Sequence, residues 1–316
     1  MSVLGLDLGG TKLAAALFNE EGRILHRVVK RVAGRKGADV ARLIADLIKD
    51  YMSLVGKGNE VASIGISVPG ISYQATRKVW APNIPGWTDY PLYDEVGDAA
   101  GDIPIVIDSD RSCYILGEVW KGNAAGCRDA IFLGVGTGIG AGIMINGEVL
   151  RGSHDIAGAI GWMALDRPFS KKYVGCGCFE YHASGEGIPR VAREFLKGNS
   201  RYNGVLRNIA PEKITTHEVF KAFDEEDPIA IKVINQSIEF WGMAAANLVS
   251  LLNPEKIIFG GGVFGPAKRL VPMIKEEASK WSQPVGINQV IFDVSALGGD
   301  AGIYGAGYLA LRRIGI

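Results

Sequence analysis

The chain has 316 residues, 34 Lys and Arg against 34 Asp and Glu, and 47% hydrophobic residues. Zero net charge argues against a basic nucleic-acid surface or a polybasic membrane patch, the apolar content excludes a disordered chain, and no run reaches the ~20 apolar residues of a membrane span. Two domains are expected at this length, and 4 cysteines are too few for a disulfide framework, which points to a reduced, cytoplasmic setting.

Val3 to Phe18 reads as a buried strand, a turn at Gly9-Gly10-Thr11-Lys12 and a second strand, with Asp7 at the end of the first. Adjacent glycines allow positive φ and leave backbone N–H groups uncovered. Such a turn holds a phosphate through main-chain donors, with Thr11 and Lys12 adding a hydroxyl and a cation. Taken alone, the same residues serve equally well as a hairpin without a ligand. Asn19 to Gly22 is turn chemistry and Ile24 to Arg31 alternates as a third strand, which predicts an antiparallel meander. Apolar residues at Val40, Leu43, Ile44, Leu47, Ile48 and Met52 predict an amphipathic helix from Ala38 to Val55. Val61 to Val68 is a strand ending in Pro69-Gly70, and the prolines of Ser72 to Pro91 predict a shaped loop without regular structure. A short strand at Ile103 to Ile107 leads to Asp108-Ser109-Asp110 and a helix from Arg111 to about Lys121.

The pattern then repeats. Ala130 to Val135 is a strand, Gly136-Thr137-Gly138-Ile139-Gly140 a turn, Ala141 to Ile145 a strand, and Asn146-Gly147 a hairpin turn. Two such units point to a duplicated domain. A polar, glycine-rich segment from Gly152 to Gly187 follows, then helices at Ile188 to Lys197, Thr216 to Phe223 and Pro228 to Leu252. Strand Ile257 to Phe259 runs into Gly260-Gly261-Gly262, a strand near Val290 to Phe292 comes next, and a helix from Asp300 to Arg312 closes the chain. Glycine turns opposed across a cleft would grip a nucleotide's phosphates from both sides. The spacing matches neither the dinucleotide fingerprint nor the P-loop.

Asp7-Leu-Gly-Gly-Thr-Lys12, Val68-Pro-Gly70, Pro82-Asn83, Asp110 before a helix, Gly136 to Gly140, Gly177-Cys-Phe-Glu180 and Asn253-Pro to Gly262 together resemble the ROK sugar kinases, in order and along nearly the whole chain. The resemblance implies an α/β, actin-like (ribonuclease H-like) duplicated fold of two lobes. Residues 1–120 with 300–316 would form the small lobe and 121–299 the large one. It also implies ATP as phosphoryl donor, Mg²⁺, a sugar or sugar-like alcohol as acceptor, and a homodimer. Asp110 matches the general base, for which Asp108 is a rival; the alternative use of Asp110 is a helix N-cap. Asp7 matches the residue holding Mg²⁺ through water. Gly9, Gly10, Thr11, Lys12, Gly136, Thr137 and Gly138 match the phosphate cradle, and Gly261 and Gly262 the adenosine side. Gly70, Asn83, Ser109, Asp110, Trp162 and Glu180 are the expected acceptor-site residues.

The chain leaves the family pattern at several positions. Ala159 and Trp162 stand where the family carries a Glu and a His that contact sugar hydroxyls, and Ser109 replaces an Asn. Of the family's zinc ligands only Cys178 is in register: Tyr173 and Lys171 stand where the two earlier cysteines belong, Val174 where the motif has a Gly, and Cys176 is an extra cysteine out of register. Cys176, Cys178 and His182, with His154 as a distant fourth, are the residues from which a rearranged site would be built; zinc is not expected. Trp162 is read as a flat wall for a sugar ring or as filler for the volume of the zinc module. The acceptor is accordingly expected to be a hexose, amino sugar or cyclitol other than plain glucose. Family repressors carry an N-terminal DNA-binding module, for which a strand starting at Val3 leaves no room, so nucleic acid is not an expected partner. A catalytically weak sugar-binding protein is the alternative, opposed by Asp7, Asp110 and the glycine turns.

Overall fold

The computed structural model describes residues 1–54 and 60–315. Strands β1 (Ser2–Leu8), β2 (Lys12–Asn19) and β3 (Ile24–Arg31) form the expected antiparallel meander, joined by turns too short for a crossover. Helix α1 (Ala38–Leu54) buries Val40, Ile44, Leu47, Ile48 and Tyr51 and returns the chain as β4 (Val61–Val68), parallel to β1. The expected end of α1, Val55, lies outside the described residues, as does Ile316.

The stretch expected to be an irregular loop is more ordered. β5 (Ile71–Tyr73) and β6 (Lys78–Trp80) pair as a small antiparallel ladder. Pro82, Pro85 and Pro91 all follow β6, so none removes a donor from that ladder. Helix α2 (Leu92–Ala100) starts directly after Pro91, with Leu92, Tyr93, Val96 and Ala100 buried and Asp94 and Glu95 in its first turn. β7 (Ile105–Ser109), parallel to β4, begins two residues later than the Ile103 expected from sequence, after Pro104, and runs directly into α3 (Asp110–Lys121).

A second meander follows: β8 (Ala130–Val135), β9 (Ile139–Ile145) and β10 (Glu148–Val149). The glycine-rich segment contains 3-10 turns at Ile160–Trp162 and Lys171–Tyr173 and a short helix, α4 (Cys178–Ala183), absent from the sequence reading. Helices α5 (Gly187–Gly198), α6 (Thr216–Asp224) and α7 (Pro228–Leu252) lead to β11 (Lys256–Gly260), parallel to β8. Helices α8 (Val271–Trp281) and α9 (Pro284–Gln289), strand β12 (Ile291–Val294) and helix α10 (Ala301–Arg313) complete the chain.

The sheets run β3-β2-β1-β4-β7 and β10-β9-β8-β11-β12, the same path traced twice, with a helix after the last strand of each. Those closing helices meet between the sheets: α10 packs on β1 and β4, α3 on β8 and β9, and each on the other. Their crossing is backbone against backbone. A Cβ on Gly305 would lie 1.7 Å from the Cys113 carbonyl oxygen, and one on Gly117 2.3 Å from that of Ala301, so neither position admits a side chain without parting the helices. Among the described residues no helix is long and apolar enough to cross a membrane.

Candidate active site

Asp7 sits opposite Ser67 in the β1–β4 ladder, and Ser67 Oγ donates to Asp7 Oδ1 at 2.7 Å. Burial pushes the Asp7 carboxyl above its usual pKa, a shift that the Ser67 bond and the Lys12 charge oppose. The start of α10 closes over it, with Gly302 packed against the carboxylate. Beside that point Asp300 takes a bidentate pair from Arg27, at 2.6 and 2.8 Å. The β1–β2 turn is closed by Gly9 N donating to Lys12 O at 2.8 Å, and Gly10, Thr11 and Lys12 are exposed. Neither Gly9 nor Gly10 has positive φ, contrary to expectation. What the glycines supply here is bare backbone: a Cβ on Gly10 would meet only Asn83 Cβ, at 4.0 Å.

The three residues Asp108, Ser109 and Asp110 take different tasks. Ser109 is the N-cap of α3: its Oγ accepts from Ser112 N at 3.2 Å and pairs with Ser112 Oγ at 3.0 Å. That leaves Asp110 free of the capping duty that was its alternative reading. Asp110 Oδ1 accepts from Arg111 N at 2.8 Å and Oδ2 from Tyr114 Oη at 3.4 Å. Burial raises its pKa to about 6, with Arg111 opposing and the Asp7 charge adding to the shift. Asp108 is buried and engaged, accepting from Ser109 N and, at Oδ2, from Arg151 Nε and Nη2. The rival is thus tied up in an ion pair. Asp7 lies near enough for its charge to bear on Asp110, and this pair of partly buried carboxylates suits a hard cation keeping most of its water.

In the second turn Gly136 N donates to Gly138 O at 2.9 Å, and Thr137 is exposed as Thr11 is. Glu180, on α4, reaches this turn: its Oε2 accepts from Ile139 N at 2.7 Å. Gly261 abuts β8 at φ 88°, where a Cβ would fall 2.4 Å from Val135 O, and Gly262 opens a 3-10 turn onto free space. Gly70 packs its backbone on Trp80, whose chain continues to Asn83. Asn83 stands exposed beside the first turn, as its approach to Gly10 shows. Trp162 is 58% exposed, so it does not fill a vacated core volume.

His182 is buried, and both its nitrogens are engaged within the protein: Gln236 Nε2 at 3.2 Å from Nδ1 and Tyr173 Oη at 3.0 Å from Nε2. Tyr173 passes the chain on by donating to Asp166 Oδ2 at 2.9 Å. Burial holds the His182 pKa down to about 4. The ring that a rearranged Cys176/Cys178/His182 site would use is thus engaged at both nitrogens, and among the described residues no group of three or more His, Cys, Asp or Glu is placed to hold a metal. A cavity of about 640 Å³ lined by Leu165, Phe195, Lys232 and Gln236 shares no residue with the glycine turns.

Several site residues escaped the sequence reading. Tyr114 was legible, four residues past Asp110 on one helix face. Ser67, Arg151 and Asp300 were not, because each arrives through pairing between distant segments.

The sequence model of the ROK family matches residues 3–313. The chain belongs to the ROK family. A glucokinase of Halalkalibacterium halodurans is 33% identical over 316 residues, covering 98% of this chain and 95% of that protein. The ROK hexokinase from Thermus thermophilus has a TM-score of 0.81 at 30% identity, with 99% of each chain covered. A ROK family glucokinase from Streptomyces griseus, solved in complex with glucose and AMPPNP, has a TM-score of 0.74 at 28% identity, covering 99% of this chain and 100% of that one. This ROK chain has the actin-like fold, its doubled sheet path being the duplication expected from the repeated strand–turn–strand units.

Proposed function

We propose that this ROK sugar kinase transfers the γ-phosphoryl group of Mg-ATP to a hydroxyl of a hexose, amino sugar or cyclitol, with Asp110 as general base. The observation that carries the reading is the Asp110 carboxyl: uncapped, at a helix start, facing the charge of Asp7, and raised to about 6. A base near the working pH takes a proton readily and is still largely ionised at neutrality. The acceptor hydroxyl gives its proton to Asp110 as its oxygen bonds to the γ-phosphorus and the bond to ADP breaks. Backbone donors of Gly10, Thr11, Thr137 and Gly138, with Lys12, hold the phosphates, while Gly9 and Gly136 close the two turns beneath them, and Gly261 and Gly262 receive the adenosine side. Asp7 would hold Mg²⁺, which would supply charge neutralisation on the phosphates. Gly70, Asn83, Ser109, Trp162 and Glu180 surround the acceptor.

The family resemblance supports a homodimer, the few cysteines a cytoplasmic setting, and the replaced zinc ligands a protein without zinc. We divide it into a small lobe of 1–120 with 300–316 and a large lobe of 121–299. The test is ADP release over a panel of hexoses, amino sugars and cyclitols, and ADP release no faster with any acceptor than with water alone overturns the kinase reading. Ala159 and Trp162 favour an acceptor other than glucose. Glucose proving best by kcat/KM overturns that part alone.

A further inference from the structure

The Gly136–Ile139 turn is held from behind along its whole length. Glu180 Oε2 accepts from Ile139 N at 2.7 Å, Gly185 N donates to Gly136 O at 2.8 Å, and Glu186 N donates to Thr137 O at 3.3 Å. All these partners come from α4 and the residues just after it. Room for the carboxylate is made by two glycines. A Cβ on Gly138 would lie 2.5 Å from Glu180 Oε2, and one on Gly161 3.1 Å from both the Glu180 Cβ and Oε2. Of the residues that hold the turn, only Glu180 does so with a side chain.

We infer that Glu180 is a positioning residue for the β8–β9 turn, fixing the backbone donors that receive the nucleotide's phosphates before any acceptor binds. The inference rests on the proposed reading that this turn holds the phosphates. Oε2 is committed to the turn, which leaves Oε1 for an acceptor hydroxyl, so one carboxylate serves both substrates. A turn fixed in advance spends none of the ligand's binding energy on ordering itself.

The experiment is calorimetric titration of ADP into the protein without any sugar, on wild type, Glu180→Ala, Glu180→Gln and Glu180→Asp. Glu180→Ala should bind ADP about tenfold more weakly. Glu180→Gln, whose amide oxygen still accepts from Ile139 N, should remain within about twofold of wild type. A residue touching only the acceptor would leave ADP affinity unchanged in every variant, and that result overturns the inference. Should Glu180→Ala not fold, the shorter Glu180→Asp must still bind ADP more weakly than Glu180→Gln; equal affinities overturn the inference. Wild type failing to bind ADP overturns instead the reading of the turn as a phosphate site.

Discussion

Arg151 reaches across from the end of the second meander to Asp108 at the end of β7, donating to one carboxylate oxygen from Nε at 3.0 Å and from Nη2 at 2.5 Å. Nearby Gln74 N donates to Asp155 Oδ2 at 3.0 Å, so the segment after β10 is fastened to the first half of the chain at two places. The other Asp108 oxygen accepts from Ser109 N, one residue before the proposed base.

Removing the cation leaves a buried carboxylate without its partner. Arg151→Met should cost about 2–4 kcal/mol in denaturant unfolding, and Arg151→Met with Asp108→Leu should recover part of it. A double variant no more stable than the single one contradicts this account of the pair.

Asp110→Asn should lower kcat by roughly 10²–10⁴-fold while acceptor KM changes little. The same substitution should raise stability. Because the folded pKa of Asp110 lies above 3.8, its contribution favours folding at low pH and is lost as pH rises through about 6. At neutral pH the gain should be about 1–2 kcal/mol, less than the full shift implies because the carboxyl keeps some solvent contact. A less stable Asp110→Asn in thermal unfolding at pH 7.5 would count against the environment described.

The pH profile follows from the same carboxyl. It must be ionised to accept a proton, so kcat/KM should rise with pH through an acid limb near pH 6 rather than near 4. Initial rates between about pH 4.5 and 8 locate the limb.

His182 carries the opposite sign. Its folded pKa of about 4 lies below the free value of 6.5, so its contribution to stability is present above pH 6.5 and is lost as pH falls toward 4. Urea unfolding of wild type and His182→Gln at pH 7 and pH 5 should show the wild type losing about 1–2 kcal/mol more on acidification. Equal losses would place His182 in contact with solvent protons.

The duplicated core was legible because strand alternation and glycine turns are local signals, and both meanders begin from them. Helix α2 was hidden behind Pro91, although that proline and the Asp94-Glu95 turn after it mark a helix start. β5 and β6 are too short for a period to show. At the site, Asp7 and Asp110 could be read from their motifs. The Ser67 bond, the Arg151 pair and the hold of Glu180 on Ile139 join positions 41 to 60 residues apart and exist only once the sheets are paired.

An indole in water emits to the red of one that is covered, and Trp162 stands 58% exposed in the turn that also packs Gly161 against Glu180. Titrating the acceptor while exciting tryptophan should shift emission to the blue in wild type and not in Trp162→Phe, whatever the other tryptophans contribute. A signal identical in both proteins would move the acceptor away from that wall. Trp162 would then be a dye already installed at the mouth of the site, and substrates could be sorted by light before any product is measured.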